Sequence, residues 1–156
     1  MGLAALSGHL RGRAGPKDPA LRRARICYNH LAGEMGIQLL ESLVQRRYLA
    51  VGDDGLGLSD AGRGFVTDLG IDLGHLAARK TPLCRECLDW SERRSHLAGS
   101  LGRALLSRCE DTGWARRQPG TRIVAFSPQG AAASARAFPL AARYHPGAVS
   151  ARRVDS

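Results

Sequence analysis

The amino-acid sequence predicts an α+β, mostly helical fold made of two pseudo-repeated winged-helix-like units. An internal repeat is the first observation: HLAG at residues 30–33 returns at residues 96–99. The second is that each copy is followed by a short β-prone run, a turn and a segment that begins with a serine suited to capping a helix. Two copies are too few for a solenoid, so we expect them to pack together as one pseudo-symmetric body.

The first unit is predicted to span residues 18–80. Asp18 followed by Pro19 is typical of a helix start, with Asp at the N-cap and Pro at the first helical position. Apolar residues then recur at spacings of three to four, which predicts one long helix ending near residues 46–47. A small hairpin around residues 52–55 follows, and Ser59 is expected to cap a helix from residue 60 to about residue 69.

The second unit, residues 81–137, is predicted to repeat this order. Its long helix would be capped by Asp89 or Ser91 and end near Thr112, and its hairpin would turn at residues 118–120. A final helix is expected to start at Ser127 and Pro128.

Glycines inside the two predicted long helices need a packing explanation, because each costs roughly 1 kcal/mol relative to alanine. We expect them to face a neighbour and to let two helix backbones approach closely; they are Gly33, Gly36, Gly99 and Gly102. The flanking segments are predicted to be an N-terminal arm, residues 1–17, and a disordered tail, residues 138–156.

The composition favours a basic, compact protein. With 156 residues and 44% hydrophobic residues, the chain can bury a core. A formal net charge of +9 suits a polyanionic partner such as nucleic acid, although an arginine-rich composition also arises from a GC-rich genome. Since no apolar run approaches the roughly 20 residues needed to span a bilayer, and no secretory signal is visible, we expect a cytoplasmic protein without a membrane partner. The four cysteines are then expected to be reduced.

Several longer motifs carry a family resemblance: CYNHLAG at residues 27–33, the stretch from Cys87 to Gly99, LSDAG at residues 58–62 and GID at residues 70–72. With these motifs, residues 16–131 resemble the C-terminal half of a branch of ArsR-type bacterial transcription regulators. The resemblance implies a homodimer in which a DNA-reading winged helix-turn-helix precedes this segment. Fewer than 20 residues precede the match, so the chain is expected to lack that domain and to be mainly the ligand-sensing and dimer-organising portion.

Two short motifs predict a metal site, Cys27-x-x-His30 and Cys84-x-x-Cys87. Thiolates and imidazoles are the ligands that tetrahedral zinc prefers, and on the predicted helix Cys27 and His30 would share one face. No cofactor is expected by default; the candidate that these motifs offer is zinc or another divalent metal, and ArsR-type regulators are often metal-responsive. The alternative is that Cys27 and Cys109 are small core residues and that Cys84 lies in a loop.

Two further sets of residues are candidates for binding. His30 and His96 occupy equivalent positions and are expected to supply polar groups to a ligand pocket walled by aromatic side chains, which are Tyr28, Trp90 and Trp114. The alternatives are a shared structural role for the histidines and core positions for the aromatic residues. Contacts with DNA phosphates are expected from a group of arginines, which would otherwise lie on solvated helix faces: Arg22, Arg23, Arg93 and Arg94.

No enzymatic function is predicted, because the sequence contains no nucleophile elbow, phosphate loop or dinucleotide fingerprint. We expect a transcription regulator in which a small-molecule or metal effector binds at the junction of the two copies and changes the packing of the long helices. Two alternatives stay open. The chain could bind DNA directly through its own wings, or it could be a small metal-binding protein.

Overall fold

The computed structural model describes residues 17–53, 55–88 and 94–141. Within these ranges the chain forms six helices and four antiparallel two-stranded hairpins, which confirms the α+β, mostly helical prediction. The helices are α1 (Pro19–Arg23), α2 (Gly33–Gln45), α3 (Asp60–Asp68), α4 (Leu73–Ala77), α5 (Gly99–Asp111) and α6 (Pro128–Ala137). The hairpins are β1 (Arg25–Cys27) with β2 (His30–Ala32), β3 (Leu49–Gly52) with β4 (Gly55–Leu58), β5 (Arg85–Leu88) with β6 (Ser95–Ala98), and β7 (Ala115–Arg117) with β8 (Val124–Phe126).

Each unit contains a long helix, as predicted, but the predicted start of that helix is wrong. In the first unit, α1 stops at Arg23 and a β-hairpin precedes α2, which begins at Gly33 with a φ of +80°. In the second unit, α5 begins in the same way at Gly99, with a φ of +81°. A residue with positive φ cannot continue a right-handed helix, so the apolar spacing runs across two different elements. The predicted caps Asp89 and Ser91 lie outside the described residues.

Elements with a local sequence signal lie where they were predicted. The side chains of Asp18, Ser59 and Ser127 cap α1, α3 and α6 by accepting hydrogen bonds from backbone N–H groups of the first turn. The wing hairpins β3–β4 and β7–β8 also match the prediction. These signals are short in range, which is why tertiary packing did not override them.

The long helix of each unit packs against a strand of the other unit, across a pseudo-twofold junction. Helix α2 packs against β6 of the second unit, α5 packs against β2 of the first, and β2 and β6 lie side by side. A Cβ added to Gly36 would lie 3.4 Å from Cβ of His96, and one added to Gly102 would lie 3.4 Å from Cβ of His30. The tightest neighbour of each glycine is a carbonyl group of the strand before its own helix, Leu31 for Gly36 and Leu97 for Gly102. The two glycines thus face strands of both units, and not a second helix as predicted.

Gly33 and Gly99 have a different environment, within their own units. An added Cβ would lie 2.7 Å from the Arg22 carbonyl oxygen at Gly33, and 2.6 Å from that of Pro82 at Gly99. Both glycines therefore begin a helix at a position that only glycine suits, because φ is positive and a backbone carbonyl lies where a Cβ would be.

Residues that follow α6 also pack on the core. Phe138, which was assigned to a disordered tail, is 1% exposed and meets the Phe65 ring edge-on at 5.7 Å. The hydroxyl of Ser42 donates to the Pro139 carbonyl at 2.7 Å. Helices α2 and α3 thus hold this segment, while residues 1–16 and 142–156 lie outside the described residues. No helix in the described ranges is long and apolar enough to cross a membrane.

Candidate metal centre at the junction of the two units

Two β-hairpins present one cysteine and one histidine each. In β1–β2, Cys27 lies directly opposite His30, across a tight turn in which Tyr28 has a φ of +59°. In β5–β6, Cys87 lies directly opposite His96, although a longer loop joins these strands. Directly opposite residues of an antiparallel pair point to the same side of the hairpin, so each hairpin presents a thiol and an imidazole together.

The junction brings the two Cys–His pairs into one cluster. Nε2 of His30 and Nε2 of His96 are 3.1 Å apart, and the ring centroids are 4.9 Å apart. Potential ligand atoms of Cys27, His30, Cys87 and His96 all lie within 4.8 Å of one another. The histidines are 5% and 1% exposed, and both cysteines are half-buried. The cluster therefore sits just below the surface.

The environment of His30 favours a neutral imidazole. Burial, and secondly repulsion from His96, lower the pKa of His30 to about 4. Its Nδ1 lies 3.4 Å from Oδ1 of Asn29, which accepts a hydrogen bond when Nδ1 carries the proton. In that tautomer the lone pair of Nε2 faces His96 and the centre of the cluster, which is the state in which histidine binds metals.

Of the residues predicted to bind a metal, Cys27, His30 and Cys87 come together, whereas Cys84 does not belong to the cluster. Cys84 packs against the hydrophobic core, and burial raises the pKa of its thiol to about 11. The fourth residue is His96, which was predicted for a ligand pocket and not for a metal. Cys109 is a core residue, 2% exposed, and burial followed by the charge of Glu110 raises its pKa to about 12.

A cleft of about 350 Å³ opens beside the cluster and is bordered by His30, Cys87 and Tyr28. Tyr28 is 93% exposed at the tip of its hairpin, so it forms the rim of the cleft and is not a core residue. Trp114 lies elsewhere, in a depression with Glu110 and Phe126, and so does not join the histidines. Trp90 lies outside the described residues.

Sequence reasoning missed the basic character of this cleft. Three arginines and one glutamate contribute to its lining: Arg79, Arg85, Arg103 and Glu86. Arg79 follows α4, Arg85 and Glu86 are adjacent on β5, and Arg103 lies on α5, so no local spacing connects the three arginines. A cleft with this lining favours anionic groups.

The arginines predicted to contact DNA have separate environments. Arg22 and Arg23 form the last turn of α1, where their contact with phosphate stays a prediction. Arg94 is not on a helix; it precedes β6 and forms an ion pair with Glu41, 3.5 Å away, whose side chain is 3% exposed. Arg93 lies outside the described residues.

The fold and the cluster together define a pseudo-symmetric α+β protein whose two halves meet at a pair of buried histidines. Among known proteins, the chain is similar to YdfF of Bacillus subtilis (strain 168), an uncharacterized HTH-type transcriptional regulator. The two are 40% identical over 110 residues, which is 70% of this chain and 49% of YdfF. The chain thus spans about half the length of that curated relative. No protein-family model matches the chain, and no solved structure matches it.

Proposed function

We propose that the chain acts in transcription regulation, as the ligand-sensing and dimer-organising portion of an ArsR-type regulator. The observation that carries this proposal is the 40% identity to an HTH-type transcriptional regulator over 110 residues. DNA is then the partner of the whole regulator, and a homodimer is the unit that binds it. The chain is not assigned an enzymatic activity.

The geometry of the junction supports a sensing role. His30 lies on β2 immediately before α2, and His96 lies on β6 immediately before α5. Each histidine also packs closely against a glycine in the long helix of the other unit, His96 against Gly36 and His30 against Gly102. An effector that moves either histidine therefore perturbs both helices, and tightly packed interfaces transmit such shifts.

The cleft beside the cluster is the proposed effector site. It borders His30 and Cys87 and is lined by arginines, so it favours an effector that carries an anionic group. Effector binding would change the relative orientation of α2 and α5 and, across a dimer, the spacing of the DNA-reading parts.

Chromatin immunoprecipitation tests the regulatory role directly. The gene product that contains this chain is tagged in its own organism, and enriched promoters are compared with the transcripts that change when the gene is deleted. We expect a small set of promoters to appear in both data sets, with expression restored by the wild-type gene. The absence of promoter enrichment under every growth condition would refute the proposal.

Sedimentation velocity tests the dimer-organising role separately. The chain has a mass of 16.7 kDa, and we expect the purified protein to sediment at twice that mass at micromolar concentration. A protein that stays monomeric as its concentration rises would exclude this role without excluding sensing.

Direct DNA binding is a second candidate function because one wing is basic. Arg116 and Arg122 are exposed on the β7–β8 hairpin, next to Arg117, which forms two hydrogen bonds with the Glu110 carboxylate. The first wing, in contrast, contains no lysine or arginine. Fluorescence anisotropy with a labelled duplex should show salt-dependent binding, with a slope that falls by about 2 in the Arg116→Ala/Arg122→Ala variant. No binding at low salt would eliminate this function.

A further inference from the structure

We propose that Cys27, His30, Cys87 and His96 together bind one thiophilic divalent cation, with Zn²⁺ as the expected metal, in tetrahedral geometry. Two thiolates and two imidazoles form a ligand set typical of zinc. The inference rests on the cluster itself, so it holds whether or not the chain regulates transcription.

The distances within the cluster suit a tetrahedral ion after a small contraction. Zinc binds sulfur at about 2.3 Å and imidazole nitrogen at about 2.0–2.1 Å, so neighbouring ligand atoms lie about 3.3–3.8 Å apart. The two Nε2 atoms are already 3.1 Å apart, and all four ligand atoms lie within 4.8 Å of one another. Movements of about 1 Å or less, mainly rotations of the half-buried cysteines, complete the coordination shell.

The chemistry of the cluster also favours a cation. When two imidazoles meet through Nε2, one must donate a proton to the other, whereas a cation accepts the lone pairs of both nitrogens. Two thiolates neutralise the charge of a divalent ion, so the buried complex carries no net charge. Asn29 near Nδ1 of His30 provides the outer-shell hydrogen bond that usually orients a ligating histidine.

Burial alone does not single out Cys27 and Cys87, since Cys84 is half-buried too, but their pairing with histidines does. Cys109, which serves as a core residue, is buried to 2% exposure. Cys27 and Cys87, in contrast, are half-buried, and each lies directly opposite the histidine of its own hairpin. This arrangement occurs once in each unit, and the two copies meet at the same point.

A cation at this position would crosslink the two units, because each unit supplies two of its four ligands. The ligands come from four strands, and the hairpins that carry them are separated by most of the first unit. Because the unfolded chain does not hold these residues together, cation binding stabilises the folded state. It also fixes the strands from which α2 and α5 begin.

The experiment uses the full chain, purified under reducing conditions and stripped of metal with a chelator. It is titrated with Co²⁺, whose visible spectrum distinguishes tetrahedral thiolate coordination from octahedral coordination, and then with Zn²⁺. We expect one metal ion per chain by elemental analysis, intense tetrahedral bands with Co²⁺ that Zn²⁺ abolishes, and a higher melting temperature with metal. Zn²⁺ should also protect Cys27 and Cys87, but not Cys84, from alkylation followed by mass spectrometry.

Matched cysteine variants decide whether this cluster is the site. Cys27→Ser and Cys87→Ser should each weaken Zn²⁺ binding by more than about 100-fold, the upper range for loss of an outer-shell partner. If the CxxC motif were the site, Cys84→Ser would weaken binding equally. With the ligands in the junction cluster, Cys84→Ser should retain full binding and the same spectrum. Circular dichroism of the metal-free variants checks that all three fold.

Three results would each overturn the proposal. They are the absence of saturable binding to the folded wild-type chain, an octahedral Co²⁺ spectrum, and equal loss of binding in Cys84→Ser. A failure of the chromatin experiment with normal metal binding would remove the regulatory function and leave the metal site in place.

Discussion

Gly36 tests whether the close approach of α2 to its own strand β2, beside the junction of the two units, is needed for stability. In the Gly36→Ala variant, the new Cβ would overlap the Leu31 carbonyl group, whose carbon would lie 2.8 Å away, and would lie 3.4 Å from Cβ of His96. The obstructing atoms are backbone, and Leu31 is paired with Ile26 in the adjacent strand. The structure therefore cannot relieve this overlap by rotating a side chain.

The expected magnitude is the balance of two opposing effects. Alanine is favoured over glycine inside a helix by about 1 kcal/mol. Overpacking that displaces backbone costs about 1–3 kcal/mol, and the rigid surroundings of Gly36 place it at the upper end of that range. We therefore expect the free energy of unfolding to fall by about 2 kcal/mol in Gly36→Ala.

Gly64 provides the matched control in another helix. It lies within α3, and a Cβ added there would meet no atom within 4 Å. Gly64→Ala should thus raise the free energy of unfolding by about 0.5–1 kcal/mol. Urea denaturation followed by circular dichroism measures both variants, and opposite signs are expected. A Gly36→Ala protein as stable as wild type would refute the close packing of α2 on the Leu31 carbonyl group.

Three further predictions concern buried groups and helix caps. The pKa of Cys109 is raised to about 12 in the folded protein from 9.0, so its contribution to stability is constant below about pH 9 and is lost as the pH rises toward 12. The stability advantage of wild type over Cys109→Ala should therefore shrink by about 1 kcal/mol between about pH 8.5 and about pH 10 in urea denaturation, and a constant difference would contradict the burial of the thiol. Arg94→Gln should lower the free energy of unfolding by about 1–3 kcal/mol, because it removes the cation paired with the buried Glu41 carboxylate. The double variant Glu41→Gln/Arg94→Gln should recover part of that loss, and no recovery would argue against the ion pair. Ser59→Ala and Ser127→Ala should each cost about 1 kcal/mol in thermal or urea denaturation. The effect of Ser59→Ala should be the larger one, because its hydroxyl also donates to a backbone carbonyl at 2.7 Å, and equal effects would count against this bond.

The sequence was informative wherever a signal acts over a few residues. Asp18, Ser59 and Ser127 cap their helices because a short side-chain oxygen at that position satisfies the N–H groups of the first turn. The wings could be predicted for a similar reason, since their turn residues accept the required backbone angles. These features depend little on the rest of the chain.

The β1–β2 and β5–β6 hairpins could not be recognised from local signals. Their strands are only three to four residues long, and the pairing of β2 with its own hairpin and its position beside β6 depend on the second unit. Apolar spacing continued through Gly33 and Gly99, so it resembled helical periodicity. Only the positive φ of these glycines separates strand from helix.

The cluster was predicted in part, and the missing residue has a specific cause. Two residues separate Cys27 from His30, but eight separate Cys87 from His96. The strand register makes the two pairs equivalent, and the longer loop conceals that equivalence in the sequence. The CxxC spacing pointed to Cys84, which packs against the core instead.

The packing of each long helix against the other unit has a consequence for the origin of the fold. A single unit would leave much of its long helix, α2 or α5, uncovered, because that helix packs mainly against a strand of the other unit. An ancestral half-length protein would have satisfied that requirement by pairing with an identical copy of itself, so duplication and fusion would preserve every contact. Fusion would also let the two halves diverge, and the loops before His30 and His96 do differ in length.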